Sequence, residues 1–186
     1  MKTLNTLLIA LVTLVSTTVF AAEPTDREVM TDVLRAIDTV PSSEKLTERF
    51  PKGESLLVAI AVDDSENFYV RKRATTLLSS YRTAEAARGL QTIAELPRLR
   101  AFAVYTLART FGESATPELV ATVSGYLKDD SNDVRAWTIR GLRWMRHDDA
   151  RKLLASLAQD AEQPELSKLA ARSLDKWRPA APDNAQ

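Results

Sequence analysis

The sequence predicts an all-α protein, an α-solenoid of stacked antiparallel helix hairpins, and three observations lead there. First, a four-point pattern recurs: an apolar residue, usually a basic residue directly after it, a small residue four places on, and a Leu eight places on. Its copies are Val70, Arg71, Ala74, Leu78; Leu99, Arg100, Ala103, Leu107; Val134, Arg135, Thr138, Leu142; and Leu166, Ala170, Leu174, where Ser167 stands in place of the base. The anchors step by 29, 35 and 32 residues, a period at which each unit buries its apolar face only by stacking on its neighbours. Second, strand signals are nearly absent. Third, connections of about two to five residues between the periodic segments force consecutive helices to lie antiparallel.

Residues 1–21 form the first element, a cleavable signal peptide. Lys2 supplies a positive start, Leu4 to Phe20 is free of charge, and Val19-Phe20-Ala21 offers the small residues that a signal peptidase reads. Cleavage after Ala21 leaves Ala22 as the first mature residue. The apolar run contains Thr13, Ser16, Thr17 and Thr18 and falls short of the ~20 residues that a spanning helix needs, so a retained anchor is the secondary expectation.

Residues 22–53 are expected to be N-terminal capping helices. Thr25-Asp26-Arg27-Glu28 has the spacing of a capping box, and Val29, Met30, Val33, Leu34 and Ile37 keep helical period, which predicts a helix over 25–38 that ends at Val40-Pro41. A short helix follows over 43–50, broken by Pro51-Lys52-Gly53. The repeat domain spans 54–178, with helices expected over 54–62, 66–82, 85–95, 97–111, 116–128, 132–146, 148–161 and 164–177. Pro97, Pro117 and Pro164 suit first helical positions, where a missing N–H is no loss, and Thr116 and Asp148 suit N-caps. Gly112 suits a left-handed helix stop. Ala74, Ala103 and Gly141 are small where helices must approach closely. Residues 179–186 hold Pro182, Asp183 and Asn184 without apolar period and are expected to be a disordered tail.

Composition narrows the function classes. The chain has no Cys, hence no disulfide and no lipidated N-terminal Cys, and the hydrophobic core alone must hold it. Its 25 basic and 25 acidic residues balance, and removing the leader takes away only Lys2. A general nucleic-acid binder carries a basic excess, so no nucleic-acid partner is expected.

The segments Val70-Arg71 with Ala74 and Leu78, and Asp129-Asp130-Ser131 followed by Val134-Arg135 and Leu142, resemble HEAT repeats, in particular the short bacterial HEAT-like type named after phycobilisome lyases. The resemblance covers about residues 54–178. It departs from the family at Ser79 and Tyr81, near where members often have a Gly closing the first helix, and at Ser167, which replaces the base as a terminal capping unit does. What the resemblance implies is a curved scaffold that binds another macromolecule. It also implies that Arg71, Arg100 and Arg135 pair with Asp63, Asp64, Asp129 and Asp130 of the inter-repeat turns, the alternative being an anionic ligand.

Residues 132–152 are the most unusual stretch, with Trp137 and Trp144 set among Arg135, Arg140, Arg143, Arg146, Arg151 and Lys152. On a continuous helix Arg140, Arg143 and His147 project opposite the core face, while the two tryptophans share a flank. Arg and Trp dominate interface energetics, so Trp144, Arg140, Arg143 and Trp137 are the candidate binding residues. Phe102 and Leu169 occupy the repeat position of Trp137, which favours packing there. Arg109 and Lys176 occupy that of Trp144, which leaves Trp144 without a packing precedent.

No catalytic set, metal site or cofactor is expected. The acidic pairs Asp63-Asp64, Asp129-Asp130 and Asp148-Asp149 stand before helices as caps, although Asp129-x-Ser131-x-Asp133 imitates the start of a calcium loop; Val134 replaces its turn Gly and Arg140 its bidentate Glu. His147 is the one histidine and is expected at the surface. The resulting expectation is a non-enzymatic scaffold, exported to the periplasm, that binds a protein partner of the cell envelope. A membrane-surface or anionic-ligand module acting through the Arg/Trp patch is the alternative, and an enzyme on the same scaffold is the least supported.

Overall fold

The computed structural model describes residues 25–36, 39 and 41–179. The expected leader 1–21, Ile37 and Asp38, Val40 and the tail from 180 onward lie outside them; the first helix, expected to run to 38, already ends at Arg35, with Ala36 extended. The expected capping box forms. Thr25 Oγ1 accepts from the Glu28 N–H, and Glu28 Oε2 accepts from the Thr25 N–H at 2.7 Å, which opens α1 (Asp26–Arg35). At α2 (Ser43–Arg49) the cap is one-sided, with Ser42 Oγ accepting from the Lys45 N–H at 3.3 Å.

Four helix pairs follow: α3 (Gly53–Val62) with α4 (Phe68–Leu77), α5 (Ala84–Ala94) with α6 (Arg100–Phe111), α7 (Pro117–Gly125) with α8 (Asn132–Leu142), and α9 (Asp148–Ala158) with α10 (Pro164–Asp175). Short 3-10 turns extend α4 over Leu78–Ser80, α6 over Gly112–Ser114 and α7 over Tyr126–Lys128. Among the described residues the fold is all helical. Helices α4, α6, α8 and α10 pack side by side as one layer, and α3, α5, α7 and α9 lie against them as the other, with α1 closing the end on α3 and α4.

The repeat pattern is the core of this stack. Val70, Leu99 and Val134 are buried, as are Leu78, Leu107 and Leu142 and the small residues Ala74, Ala103, Thr138 and Ala170 between them. Leu166 and Leu174, in the last unit with no repeat beyond it, are only partly covered. Truncating one of the buried leucines to Ala costs about 2–5 kcal/mol, the transfer term plus the cavity. Gly141 is where α8 meets α6 most closely, since a Cβ there would lie 2.9 Å from Ala108 Cβ.

Four local expectations are corrected. The helix expected from Pro97 begins at Arg100. Pro97 instead holds the second place of a turn closed by Leu99 N–H donating to Leu96 O at 3.0 Å, a place that its fixed φ favours. The N-cap of α9 is His147 rather than Asp148: its Nδ1 accepts from the Asp149 N–H at 3.2 Å, and both aspartates fall in the first turn, facing the positive helix end. Helix α8 stops at Leu142, four residues early.

The fourth concerns Gly112, which does not take a left-handed conformation; its φ is −67°. Glycine is needed there for approach. A Cβ would stand 2.5 Å from Trp144 O and 2.8 Å from its carbonyl carbon, while Gly112 O accepts from Arg146 N–H at 2.7 Å.

That contact belongs to a seam in which the segments after α4, α8 and α10 each bond back to the end of an earlier helix. Tyr81 Oη donates to Phe50 O at 2.8 Å, Arg146 N–H to Gly112 O, and Trp177 Nε1 to Met145 O at 2.8 Å. Tyr81 thus takes the place of a helix-closing Gly because its phenol ties α4 back to the end of α2. The same ring fills the space beside Gly53, where a Cβ would lie 2.2 Å from its Oη. Glu54, buried at the start of α3, accepts from Thr83 Oγ1 at 3.2 Å.

Two predictions follow from the seam. Gly112→Ala should lower unfolding free energy by about 1–3 kcal/mol through overpacking against backbone, whereas Gly125→Ala, whose Cβ meets nothing within 4 Å, should raise it by about 0.5–1 kcal/mol. Equal denaturation midpoints for the two variants would refute the close-approach argument. Burial first, and then the charge of Glu54, push the Tyr81 phenol up from 10.0 to about 12. A phenol ionises near about 10 in the unfolded chain, so the contribution of the neutral ring is complete below that pH and is lost as pH rises through 12. Denaturant titrations at increasing pH should show the wild type losing stability across that window relative to Tyr81→Phe, and the late part of the ultraviolet tyrosinate absorbance, to which Tyr126 with its burial-raised phenol also contributes, should shrink in that variant.

Candidate interaction surface

The arginines divide into those that the fold consumes and those that it leaves open. Arg71 Nε donates to Ala61 O at 2.8 Å while its Nη1 meets Asp64 at 2.6 Å. Arg100 Nε donates to Ala94 O at 2.8 Å and its Nη1 meets Asp129 at 2.9 Å. Arg135 Nη1 donates to Asp129 O at 3.0 Å. In the last unit Ser167 Oγ reaches Ala158 O at 2.7 Å. Each residue after a repeat anchor therefore satisfies a carbonyl at or just beyond the end of the helix before it, groups that have no intrahelical partner. These arginines form the structural ladder, although Arg135, expected to pair with an aspartate side chain, bonds the Asp129 carbonyl and the Asn132 side chain instead.

The acidic turns complete the ladder. Asp129 Oδ1 accepts from Ser131 N–H at 2.8 Å while Oδ2 takes Arg100, and Asp63 divides its oxygens in the same way between Ser65 and Arg27. The Ser65 hydrogen bonds and then Arg27 hold the Asp63 carboxyl below the usual range. With both oxygens engaged inside the chain, Asp129 acts as a turn former rather than as the first ligand of a calcium loop.

Arg73 was not singled out by the sequence and is also consumed. It is buried on α4 and donates to Ala36 O, to Thr39 O at 2.9 Å and to Tyr69 Oη at 2.9 Å. It holds the chain beyond α1, and the negative end of that helix accommodates its charge. Its repeat position is the one that Phe102 and Trp137 occupy.

Trp137 lies half-buried on α8, its ring 5.0 Å from Tyr105 at 71° and 6.0 Å from Phe102, and Phe102 in turn meets Phe68 at 6.4 Å. An aromatic ladder thus crosses α4, α6 and α8, and Trp137 is chiefly an inter-repeat packing residue, as its equivalence to Phe102 implies. Cations cover its outer side: Arg98 stands over Phe68 at 4.6 Å, Lys72 over Phe102 at 4.5 Å and Arg140 over Trp137 at 5.1 Å.

Trp144 is placed differently from the helical projection. Because α8 stops at Leu142, Arg143 and Trp144 sit in the following turn, where Trp144 N–H donates to Gly141 O at 2.9 Å. Its ring neighbours are guanidiniums, Arg143 at 4.7 Å and Arg109 of α6 at 5.7 Å. The indole nevertheless remains 40% exposed, one of three large apolar residues so placed. The structure brings Arg143 to Trp144 and Arg140 to Trp137, and it adds Arg109. A signal for Arg109 existed: it shares the repeat position of Trp144, and equivalent positions of successive units are neighbours in a stack. His147 joins neither cluster, being the cap of α9.

Arg109, Arg140 and Arg143 have no carboxylate within ion-pair distance among the described residues. The imbalance holds over three of the four helices of the layer, since α10, like α9 opposite it, carries two bases and two acids. Helices α4, α6 and α8 carry seven basic residues from Arg71 to Arg140 against the single acid Asp133, whereas α3, α5 and α7 open on Glu54, Glu85 and Glu118 with Arg88 as their one base. A neutral chain thus has a basic layer and an acidic one. A cleft of 810 Å³ between α1 and α2, lined by Val29, Val33, Pro41, Lys45 and Arg49 among others, shares no residue with the patch.

Residues 93–175 match the family model described as HEAT repeats. No curated protein and no solved structure matches the chain. HEAT repeats typically serve as protein-interaction scaffolds, and the match is to the repeats in general rather than to the phycobilisome-lyase type. The recurring four-point pattern, the two-layer stack of helix pairs that it builds and this match together identify HEAT repeats over residues 93–175.

Proposed function

We propose that the protein is an exported, non-enzymatic HEAT-repeat scaffold that binds a protein partner in the cell envelope through the open side of its basic layer. One observation carries the choice of surface: Trp144 stays exposed although two guanidiniums flank it, and neither of these has a carboxylate. Buried aromatic and Arg anchors supply most of the energy of protein interfaces. Trp144, Arg143 and Arg140 are therefore the anchors, with Trp137 as the packed support under Arg140. The charge-free run ending in Val19-Phe20-Ala21 supports export and a periplasmic location.

A membrane-surface module is the second reading, favoured by the same basic excess. It asks for apolar side chains that enter the lipid interface together. The exposed large ones, Val62, Tyr69 and Trp144, lie on separate elements, which favours the protein partner.

Affinity capture of the mature protein from its native envelope extract, read by mass spectrometry, should return a recurrent protein. Combining Arg140→Glu with Trp144→Ala should remove about 2 kcal/mol or more of that binding while leaving the melting temperature near that of wild type. Capture unchanged by the double variant would reject the surface. N-terminal sequencing of the exported protein should begin at Ala22; a start at Met1 would favour a retained anchor.

A further inference from the structure

The geometry points to an extended acidic protein segment as what the basic layer receives, its carboxylates bound by Arg109 of α6 and by Arg143 after α8, both of which stand over the Trp144 ring. The inference rests on the scaffold reading and deepens it by giving the chemistry of the partner.

A guanidinium over an aromatic face keeps its N–H donors around its edge, and the fork that they form matches a carboxylate in bidentate geometry. Arg143 and Arg109 are held in this way at 4.7 and 5.7 Å from one ring. Their side chains are thus partly ordered before a partner arrives, which lowers the cost of binding. The nearby acid does not neutralise them, because Glu113 is taken by Arg82 at 3.6 Å and Arg146 at 3.4 Å.

Repeat equivalence extends the charge along the stack. Arg172 continues the position of Arg140 onto α10, and Lys176 continues that of Trp144; both are exposed. Neighbouring packed helices lie about 8–10 Å apart, and an extended chain advances about 3.3 Å per residue. A segment crossing α6, α8 and the end of α10 therefore meets a new cation about every third residue. Carboxylates at that spacing, with Trp144 covering an intervening side chain, satisfy the row. The charge balance of the whole chain favours such a segment over a nucleic acid.

The test uses the mature protein and a synthetic peptide with Glu at every third position, with the Gln version of the same peptide, a thymidine oligonucleotide and phosphatidylglycerol vesicles as the other arms. The Glu peptide should bind, should perturb fluorescence that is absent from Trp144→Phe, and should weaken as salt rises. Arg109→Gln with Arg143→Gln should reduce its affinity roughly tenfold, while Arg88→Gln on α5 leaves it unchanged; matching circular dichroism and melting curves establish that both variants fold. Failure of the Glu peptide to bind, equal binding by the Arg109/Arg143 variant, equal binding of the Gln peptide, or displacement of the Glu peptide by the oligonucleotide or the vesicles would each overturn the inference. If an envelope protein is captured by wild type and equally by the Arg109/Arg143 variant, the scaffold reading stands and this inference falls. If the peptide binds as described but no envelope protein is captured, the scaffold reading fails on its own.

Discussion

Helix ends govern this architecture. A second-layer helix that stops and turns back within a few residues exposes carbonyls that no residue of its own helix can meet. The side chain after each repeat anchor meets one: Arg71 at Ala61, Arg100 at Ala94, Arg135 at Asp129 and Ser167 at Ala158. Because the anchor itself is buried beside that carbonyl, the capping bond and the core contact constrain the same short segment. The next helix can then pack at only one register, and the layers build from there.

The aspartates extend that local solution across units. One oxygen of Asp63 or Asp129 closes its own turn, and the other accepts from an arginine of an earlier helix, Arg27 or Arg100. On the opposite edge, Tyr81, Arg146 and Trp177 bond back to the loop before. Neighbouring units are therefore tied by hydrogen bonds near helix ends, with the apolar faces between. This nearest-neighbour bonding lets a chain without disulfides hold an elongated core.

Function emerges from what this bonding leaves over. Basic side chains that cap helices are spent in the ladder, and Arg73 is spent on the chain beyond α1. Arg109, Arg140 and Arg143 cap nothing; among the described residues their side chains make no hydrogen bond or ion pair, and each stands over an aromatic ring. Solvated cations held over rings are attractive to a partner because the rings order them without neutralising them. Trp137 and Trp144, alike in composition and seven residues apart, end in different roles for this reason. One is wedged between α8 and α6; the other stands in a turn where two repeats meet.

The amino-acid sequence carries the repeat, the helix order and many helix ends, because period, caps and turn chemistry act over a few residues and leave their trace in adjacent positions, while the role of the ladder arginines came from the resemblance to HEAT repeats. It also marked Trp144 as lacking a packing precedent. Only the tertiary structure decided where α8 stops, that Gly112 is small for the sake of the Trp144 carbonyl, that Tyr81 reaches back to Phe50, and that Arg109 shares an indole with Arg143. Those features depend on backbone and rings from different units meeting at one point, and no local propensity records such a meeting. Equivalence between repeats comes nearest to doing so, because stacking turns equal positions along the chain into neighbours in space.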